Sequence, residues 1–281
     1  MFKSTYTSIA IVATLFISLS TCQSPVVEEK APAEEPTFSY HKEQQQFKKA
    51  SDGCKSDSNE CAIIEIDFPQ FKEPGAVFKQ INDSILHYIK TSLSPEDMGN
   101  VATLDDLGNR FIQDYNEYTA EAKTRAEEDN SDPFITPWSI ETYGTVTFES
   151  PKLVSIELST YSYTGGAHPN TTVTLLNYDT KTGKAITIKD LVKDQRKLVQ
   201  LAEKKFRKTH EIAPNANLND QGFFWDGKFQ LPANIGLSGE GIWFFYNSYE
   251  IAAYAVGPTE FVLSWEELGD LVDQSKVVGQ K

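Results

Sequence analysis

Hydrophobic positions in the first half of the chain follow a strand-like pattern and then a helical one. Residues 39–49 and 61–68 predict strands, and the second is rich in β-branched side chains. Pro69 ends this second run. Apolar residues then recur at helical spacing, which predicts a helix over 76–92 with the buried stripe Val77, Phe78, Ile81, Ile85 and Ile89.

A second helix is predicted over 104–128. Thr103 and Asp106 have the spacing of a capping box, with Asp in place of the usual Glu. The breaker-rich segment 130–137 follows. The predicted apolar stripe of the helix is Leu104, Leu107, Phe111, Tyr115, Tyr118 and Ala122.

The second half of the chain is richer in strands. A turn is predicted at 179–184, with Gly183 in the left-handed conformation. Helices are predicted at 189–210 and 265–272. Because strands and helices are segregated rather than alternating, we expect an α+β fold. The predicted strands are 138–148, 152–163, 171–178, 186–188, 242–246 and 260–263.

The N-terminus has the three parts of an export signal, which predicts removal of residues 1–21. Lys3 is followed by the apolar run 9–19, which is too short to span a bilayer core, and then by Cys22. The tetrapeptide 19–22, Leu-Ser-Thr-Cys, resembles a lipobox apart from Thr21, which predicts lipidation of Cys22. The alternative is an ordinary secretory signal with an incidental cysteine.

Residues 22–37 are predicted to be a disordered tether, because this Pro-, Glu- and Ala-rich stretch has almost no large apolar side chains. The predicted location is therefore the cell envelope, with the folded part outside the cytoplasm and a lipid anchor in a bacterial membrane. In a Gram-negative cell this would be the outer membrane.

The net charge is −14, and it becomes −15 once residues 1–21 with their single charged residue, Lys3, are removed. Nucleic acids and anionic lipids prefer basic surfaces, so the charge argues against both as partners of the folded part. It favours a basic partner. General solubility is an alternative explanation of the same charge.

The cysteines and histidines point to a disulfide rather than to a metal centre. Cys54 and Cys61 flank a polar, turn-like stretch, and export would place them where disulfides form. A metal site at these two cysteines is the weaker alternative, because no nearby histidine completes a ligand set. The four histidines are scattered singly. We therefore predict neither a metal nor another cofactor, and no G-x-S-x-G nucleophile motif is present.

Two stretches carry a resemblance to a known family. They are residues 163–169 (YTGGAHP) with 177–183 (NYDTKTG) and Leu191, and residues 243–258 (WFFYNSYEIAAYAVGP). Together they resemble the PdaC/RsiV-like family, in which a deacetylase PdaC-type domain precedes a C-terminal domain of unknown function. The resemblance covers Tyr40–Leu93 and Trp138–Leu271, with a looser match in the first range.

This resemblance implies helices packed on an antiparallel sheet and two subdomains, for which we predict the ranges 38–130 and 138–272. Some members are membrane-bound anti-sigma factors whose outer domain binds lysozyme, and others carry a separate polysaccharide deacetylase domain. Neither a cytoplasmic segment nor a deacetylase domain is recognisable here. We therefore expect neither sigma-factor control nor deacetylation.

Candidate binding residues lie in a glycine-rich loop and among the aromatic residues of the last third. Gly165 and Gly166 permit a tight turn, and Pro169 biases His168 to an extended conformation. His168 is then either a contact or acid–base residue, or a side chain that fixes the loop. Trp225, Tyr249 and Tyr254 are candidates for glycan stacking or a protein contact, although most rings should be core.

The predicted function is non-catalytic binding of a lysozyme-like protein or a glycan outside the cytoplasm. The alternative is an enzyme acting on peptidoglycan or another glycan. Such an enzyme would need two carboxylates at a defined separation, for example Asp226 and Glu240, or His168 beside a groove.

Overall fold

The computed structural model describes residues 40–54, 60–93 and 101–277. The predicted export signal, Cys22 and the predicted tether lie outside the described residues. The described part contains both helices and sheets, which confirms the α+β class. The strands are β1 Lys42–Ala50, β2 Ala62–Phe71, β3 Trp138–Glu149, β4 Leu153–Tyr163, β5 Asn170–Asp179, β6 Asn234–Leu237, β7 Gly241–Tyr246 and β8 Thr259–Ser264.

The long helices are α1 Ala76–Leu93, α2 Leu104–Asp129 and α4 Gln195–Thr209. At the start of α2, Thr103 and Asp106 form the predicted capping box, in which each side chain accepts from the other residue's backbone N–H. The described helices of four residues are α3 Ile188–Leu191, α5 Trp265–Leu268 and α6 Gln274–Val277.

The first sheet has five strands in the order β1-β2-β3-β4-β5. Neighbouring strands are antiparallel except β2 and β3, which run parallel. The parallel pair is possible because α1 and α2 lie between the two strands in sequence, so that β3 begins beside Ala62, at the end of the sheet where β2 begins. This sheet takes strands from both sides of the 130–137 loop, where the sequence predicted a division into subdomains.

One face of the first sheet packs against α1 and α2. The spacing that predicted α1 is the spacing of its buried residues, Ile81, Ile85 and Ile89, which meet Ile64 and Ile156 of the sheet in one hydrophobic core. Helix α2 approaches strand β1 closely at Gly108. A Cβ on this glycine would come within 2.8 Å of the Phe47 ring, so the absence of a side chain permits this packing.

A second sheet has the order β6-β7-β8 and is antiparallel throughout. Together with α4 it encloses a second core. Phe206 of α4 is fully buried there, with its ring 5.2–6.2 Å from the rings of five other phenylalanine and tyrosine residues. Strand β6 lies across the end of the first sheet, where the amide of Asn177 donates to the carbonyl of Ile235.

Two local predictions were wrong, and one strand was not predicted. Residues 186–188 form no strand, since Ile188 begins α3. The helix predicted over 189–210 is broken, because Val192 bridges to Val272 and Asp194 starts a new helix by accepting from the N–H groups of Arg196 and Lys197. Strand β6 was missed altogether.

Candidate functional site

The glycine-rich loop joins β4 to β5 and turns on two residues in the left-handed region. Gly165 has φ +89° and Gly166 has φ +101°, a conformation that side chains disfavour. The hydroxyl of Tyr163 donates to the carbonyl of Gly166 across the turn. The paired glycines are therefore explained by the tightness of the turn.

His168 lies in this loop and stacks on Tyr254. The ring centroids are 3.8 Å apart and the planes differ by 18°. The Nδ1 atom of His168 is 2.9 Å from the carbonyl oxygen of Pro169, to which the Tyr254 hydroxyl also donates at 2.9 Å. Both contacts hold the ring against the loop. Tyr249 lies beside Tyr254 with centroids 5.4 Å apart, so the fold brings His168 together with two candidate residues that are distant from it in sequence.

Trp225 lies on a different loop and is 64% exposed. It lines a cavity of about 290 Å³ together with Asp226 and Glu250. Glu240, the carboxylate that sequence reasoning paired with Asp226, does not line this cavity. The fold therefore places a different acid beside Trp225, one that belongs to the loop after β7.

The face of the first sheet that points away from α1 and α2 carries a second group of polar residues, which sequence reasoning missed. The second sheet packs against its β5 end, where Val173 and Leu175 meet Phe245. The rest of the face, from β1 to the 159–161 end of β4, forms an open cleft of about 480 Å³. Its main polar residues are Gln46, Lys48, Glu65, Asp67, Glu141, Tyr143, Ser159 and Tyr161.

Strand register explains how these side chains meet. Glu65 pairs with Lys48 on one side and with Glu141 on the other, and Asp67 lies beside Tyr143. Side chains that face each other across neighbouring strands point to the same side of a sheet. Pairing therefore gathers into one cleft carboxylates that are 74 to 76 positions apart in sequence.

Several polar groups of this cleft lack partners among the described residues. Asp67 accepts from the Gln46 amide through Oδ2, but its buried Oδ1 accepts no hydrogen bond there. The Glu141 carboxylate and the Tyr143 hydroxyl have no described partner, and the Tyr143 side chain is 59% exposed. Lys48 forms an ion pair with Glu65. The cleft therefore has spare hydrogen-bond acceptors and excess negative charge.

Glu157 continues the same face of β4 toward the second sheet. Burial raises the pKa of its carboxyl, and the nearby charge of Glu260 raises it further. Glu260 accepts a hydrogen bond of 2.7 Å from Nε1 of Trp243. A carboxyl group with this environment favours the neutral form or a nearby cation.

Side chains suited to metal binding do not cluster in the described part of the chain. Over residues 40–54, 60–93 and 101–277, no three His, Cys, Asp or Glu side chains are arranged to hold a metal ion. His210 is packed between Phe206 and Phe223, and burial lowers the pKa of its imidazole. This half-buried ring therefore favours the neutral form and packs against Phe206 of the second core.

Cys54 and Cys61 are joined as a disulfide, with Cα atoms 5.1 Å apart. The bridge closes the connection between β1 and β2, the antiparallel pair at one edge of the first sheet. None of the helices in the described ranges has both the length and the apolar character needed to cross a bilayer.

Two family models match the chain in succession. The model described as deacetylase PdaC matches residues 55–171, and the model of DUF3298, a family of unknown function, matches residues 189–266. The matched ranges divide the chain between residues 171 and 189, beyond the 130–137 loop. No curated protein matches.

Solved structures share the fold. A DUF3298 family protein from Pseudomonas aeruginosa is similar with a TM-score of 0.61 and 20% identity, over 86% of this chain and 99% of that chain. A member of the same family from Bacteroides fragilis is similar with a TM-score of 0.59 and 21% identity, over 83% and 94% of the two chains. The matched domains are those of a cell-envelope-related protein. The chain thus carries a PdaC-type domain followed by a DUF3298 domain.

Proposed function

We propose that this protein is a lipid-anchored, non-catalytic module of the cell envelope that binds a basic extracytoplasmic protein. A lysozyme-like muramidase is the candidate partner. The observation that carries the proposal is the open acidic cleft on the first sheet. The lysozyme-binding members of the family that the sequence resembles support the choice of partner.

The open cleft is unusual because it exposes a parallel strand pair. Parallel pairs are normally covered on both faces, whereas here β2 and β3 are covered by helices on one face and expose Glu65, Asp67, Glu141 and Tyr143 on the other. An exposed tyrosine beside Asp67 and Glu141, which form no ion pair with a described residue, suits a partner that contributes Lys or Arg side chains, since the ring offers apolar contact and the acids offer charge.

The proposal is tested by titrating the full chain with lysozyme in a calorimeter at low and at moderate salt. We expect a complex that weakens as salt rises, because electrostatic attraction between exposed charges is screened over about 8–10 Å near physiological ionic strength. If no complex forms at low salt and none forms at moderate salt, the proposal is contradicted.

The surface is tested with the double variant Asp67→Asn, Glu141→Gln. We expect lysozyme affinity to fall by about tenfold or more, equivalent to about 1.4 kcal/mol. The matched control is Glu127→Gln, Glu128→Gln, which removes the same charge from exposed positions at the end of α2. An equal loss in both variants would mean that overall charge, not this cleft, attracts lysozyme.

A further inference from the structure

We infer a carbohydrate-binding site at the Trp225 cavity, which goes beyond the proposed function and does not depend on the acidic cleft. The ligand class is a neutral glycan, with one pyranose ring stacked on the Trp225 indole. Two loops build the site. One contains Phe224–Leu231 and the other follows β7 and contains Glu250 and Ile251.

The two loops are fixed to each other by hydrogen bonds. The backbone N–H of Phe224 donates to the carbonyl of Ile251 at 2.7 Å, and the hydroxyl of Tyr246 donates to the carbonyl of Gln230 at 2.6 Å. The carboxylate of Glu250 accepts from the backbone N–H groups of Ala233 and Asn247. The cavity is therefore formed before any ligand arrives, which lowers the ordering cost of binding.

Backbone strain is concentrated at the same place. Four non-glycine residues in the described ranges have positive φ: Asn130, Glu211, Phe224 and Tyr249. Asn130 and Glu211 end helices, where this conformation is common. The other two are aromatic residues, which rarely adopt a positive φ. Phe224 lines the cavity, and Tyr249 directly precedes Glu250. Strained residues outside such caps tend to cluster at ligand sites.

The side chains that line the cavity are suited to binding a sugar. Trp225 offers a flat, exposed apolar face of the kind that packs against the C–H face of a pyranose ring. Around it, Asp226, Gln230 and Glu250 provide carboxylate oxygens and an amide. Each carboxylate oxygen that already accepts one backbone N–H keeps a second lone pair for a sugar hydroxyl.

An organic cation is the competing ligand, because binding sites for organic cations also combine aromatic rings with carboxylates. Recognition of such cations generally uses a cage of several rings around the charge. Here Trp225 is the one exposed ring, because Phe224 and Tyr246 also line the cavity but are buried. Both carboxylates are engaged with loop hydrogen bonds. A neutral ring with several hydroxyls fits this arrangement better.

The test titrates the full chain with chitotetraose, cellotetraose and maltotetraose, observing calorimetric heat and tryptophan fluorescence. We expect saturable binding of at least one sugar, and a loss of about tenfold or more in Trp225→Ala. Trp225→Phe should retain part of the affinity because a smaller ring still stacks. Phe134→Ala is the matched control, since Phe134 is an exposed aromatic residue on another loop.

Further measurements distinguish a site for a sugar from a site for an organic cation. Asp226→Asn should change sugar affinity little, because the amide oxygen still accepts a hydroxyl, and the wild-type protein should show no saturable binding of choline. No saturable binding of any of the three sugars at millimolar concentration overturns the inference. Binding of choline that Asp226→Asn abolishes, or sugar binding that Trp225→Ala leaves unchanged, overturns it as well.

Discussion

At the scale of single residues, Glu157 shows how sheet packing changes the chemistry of a side chain. Its position on β4 is part of an alternating pattern, so sequence alone predicts an exposed acid. The second sheet then covers this end of the strand, and burial beside Glu260 raises the pKa of the carboxyl. The sequence pattern could not predict this, because the covering residues are about 100 positions away.

Glu157→Gln is expected to stabilise the protein at neutral pH. The folded-state pKa lies above the ordinary value of 4.5, so the folded state carries a penalty for the charged form whenever the pH is above that raised pKa. As the pH falls through the raised pKa toward the ordinary value, the wild-type folded state takes up the proton and the penalty is lost.

The measurement is the free energy of unfolding in urea at about pH 7 and about pH 4 for both proteins. The variant should be more stable at the higher pH and equal to the wild type at the lower one. The same substitution at the exposed Glu128 serves as the control. A stability difference that does not change with pH would contradict the assigned cause.

The candidate binding residues also illustrate what residue patterns can and cannot predict. The glycine pair indicated the tight turn at 165–166, and both residues have positive φ. The stacking of His168 on Tyr254 joins positions 86 apart and depends on the fold. The cleft residues Asp67 and Glu141 gave no signal at all, because isolated acids in strands are common on solvated faces.

At the scale of elements, periodicity predicted the long elements well and the short ones poorly. Helices α1 and α2 and strands β2–β5 have enough repeats for a pattern to stand out. Strand β6 has four residues, one of them Gly236, and Pro232 lies just before it. A Cβ at Gly236 would come within 3.1 Å of the Leu175 side chain, so close packing between the sheets favours a glycine there, and a glycine weakens the strand pattern.

Helix α4 is held by a single buried stripe, Leu198, Ala202 and Phe206. Phe206→Ala is expected to lower the free energy of unfolding by about 3–5 kcal/mol, because it removes the ring at the centre of the aromatic core. Chemical denaturation monitored by circular dichroism measures the loss.

Two further variants keep this experiment informative. Phe206→Leu should lose less stability and can be measured if the alanine variant does not fold. Phe134→Ala removes a ring that is 82% exposed and should change stability by no more than about 0.5 kcal/mol. Comparable losses at positions 134 and 206 would contradict the central place given to Phe206.

At the scale of the whole molecule, the two proposed binding surfaces belong to different sheets. The acidic cleft lies on β1–β4 of the first sheet, and the Trp225 cavity adjoins β7 of the second. The fold class followed from the segregation of strands and helices. The strand order did not, because adjacency of β2 and β3 depends on the path of the chain through α1 and α2.

Anchoring is a prediction for the complete chain. If Cys22 carries lipid, the wild-type protein should be recovered with membranes, and its mature N-terminus should be an acylated cysteine by mass spectrometry. Cys22→Ser should lose the acyl groups and leave the membrane fraction. An unmodified wild-type N-terminus in the soluble fraction would favour the ordinary secretory signal instead.

The parallel β2–β3 pair has a consequence for how the protein reaches its native state. The β1–β2 hairpin and the β3–β4–β5 meander are made of near neighbours, but Ala62 pairs with Trp138, 76 positions later. Bringing these two residues together loses chain entropy before the contacts between β2 and β3 can stabilise the pair. Folding is then expected to be hierarchical, with two locally assembled units whose docking is the slow step, and the first sheet is complete only after they meet.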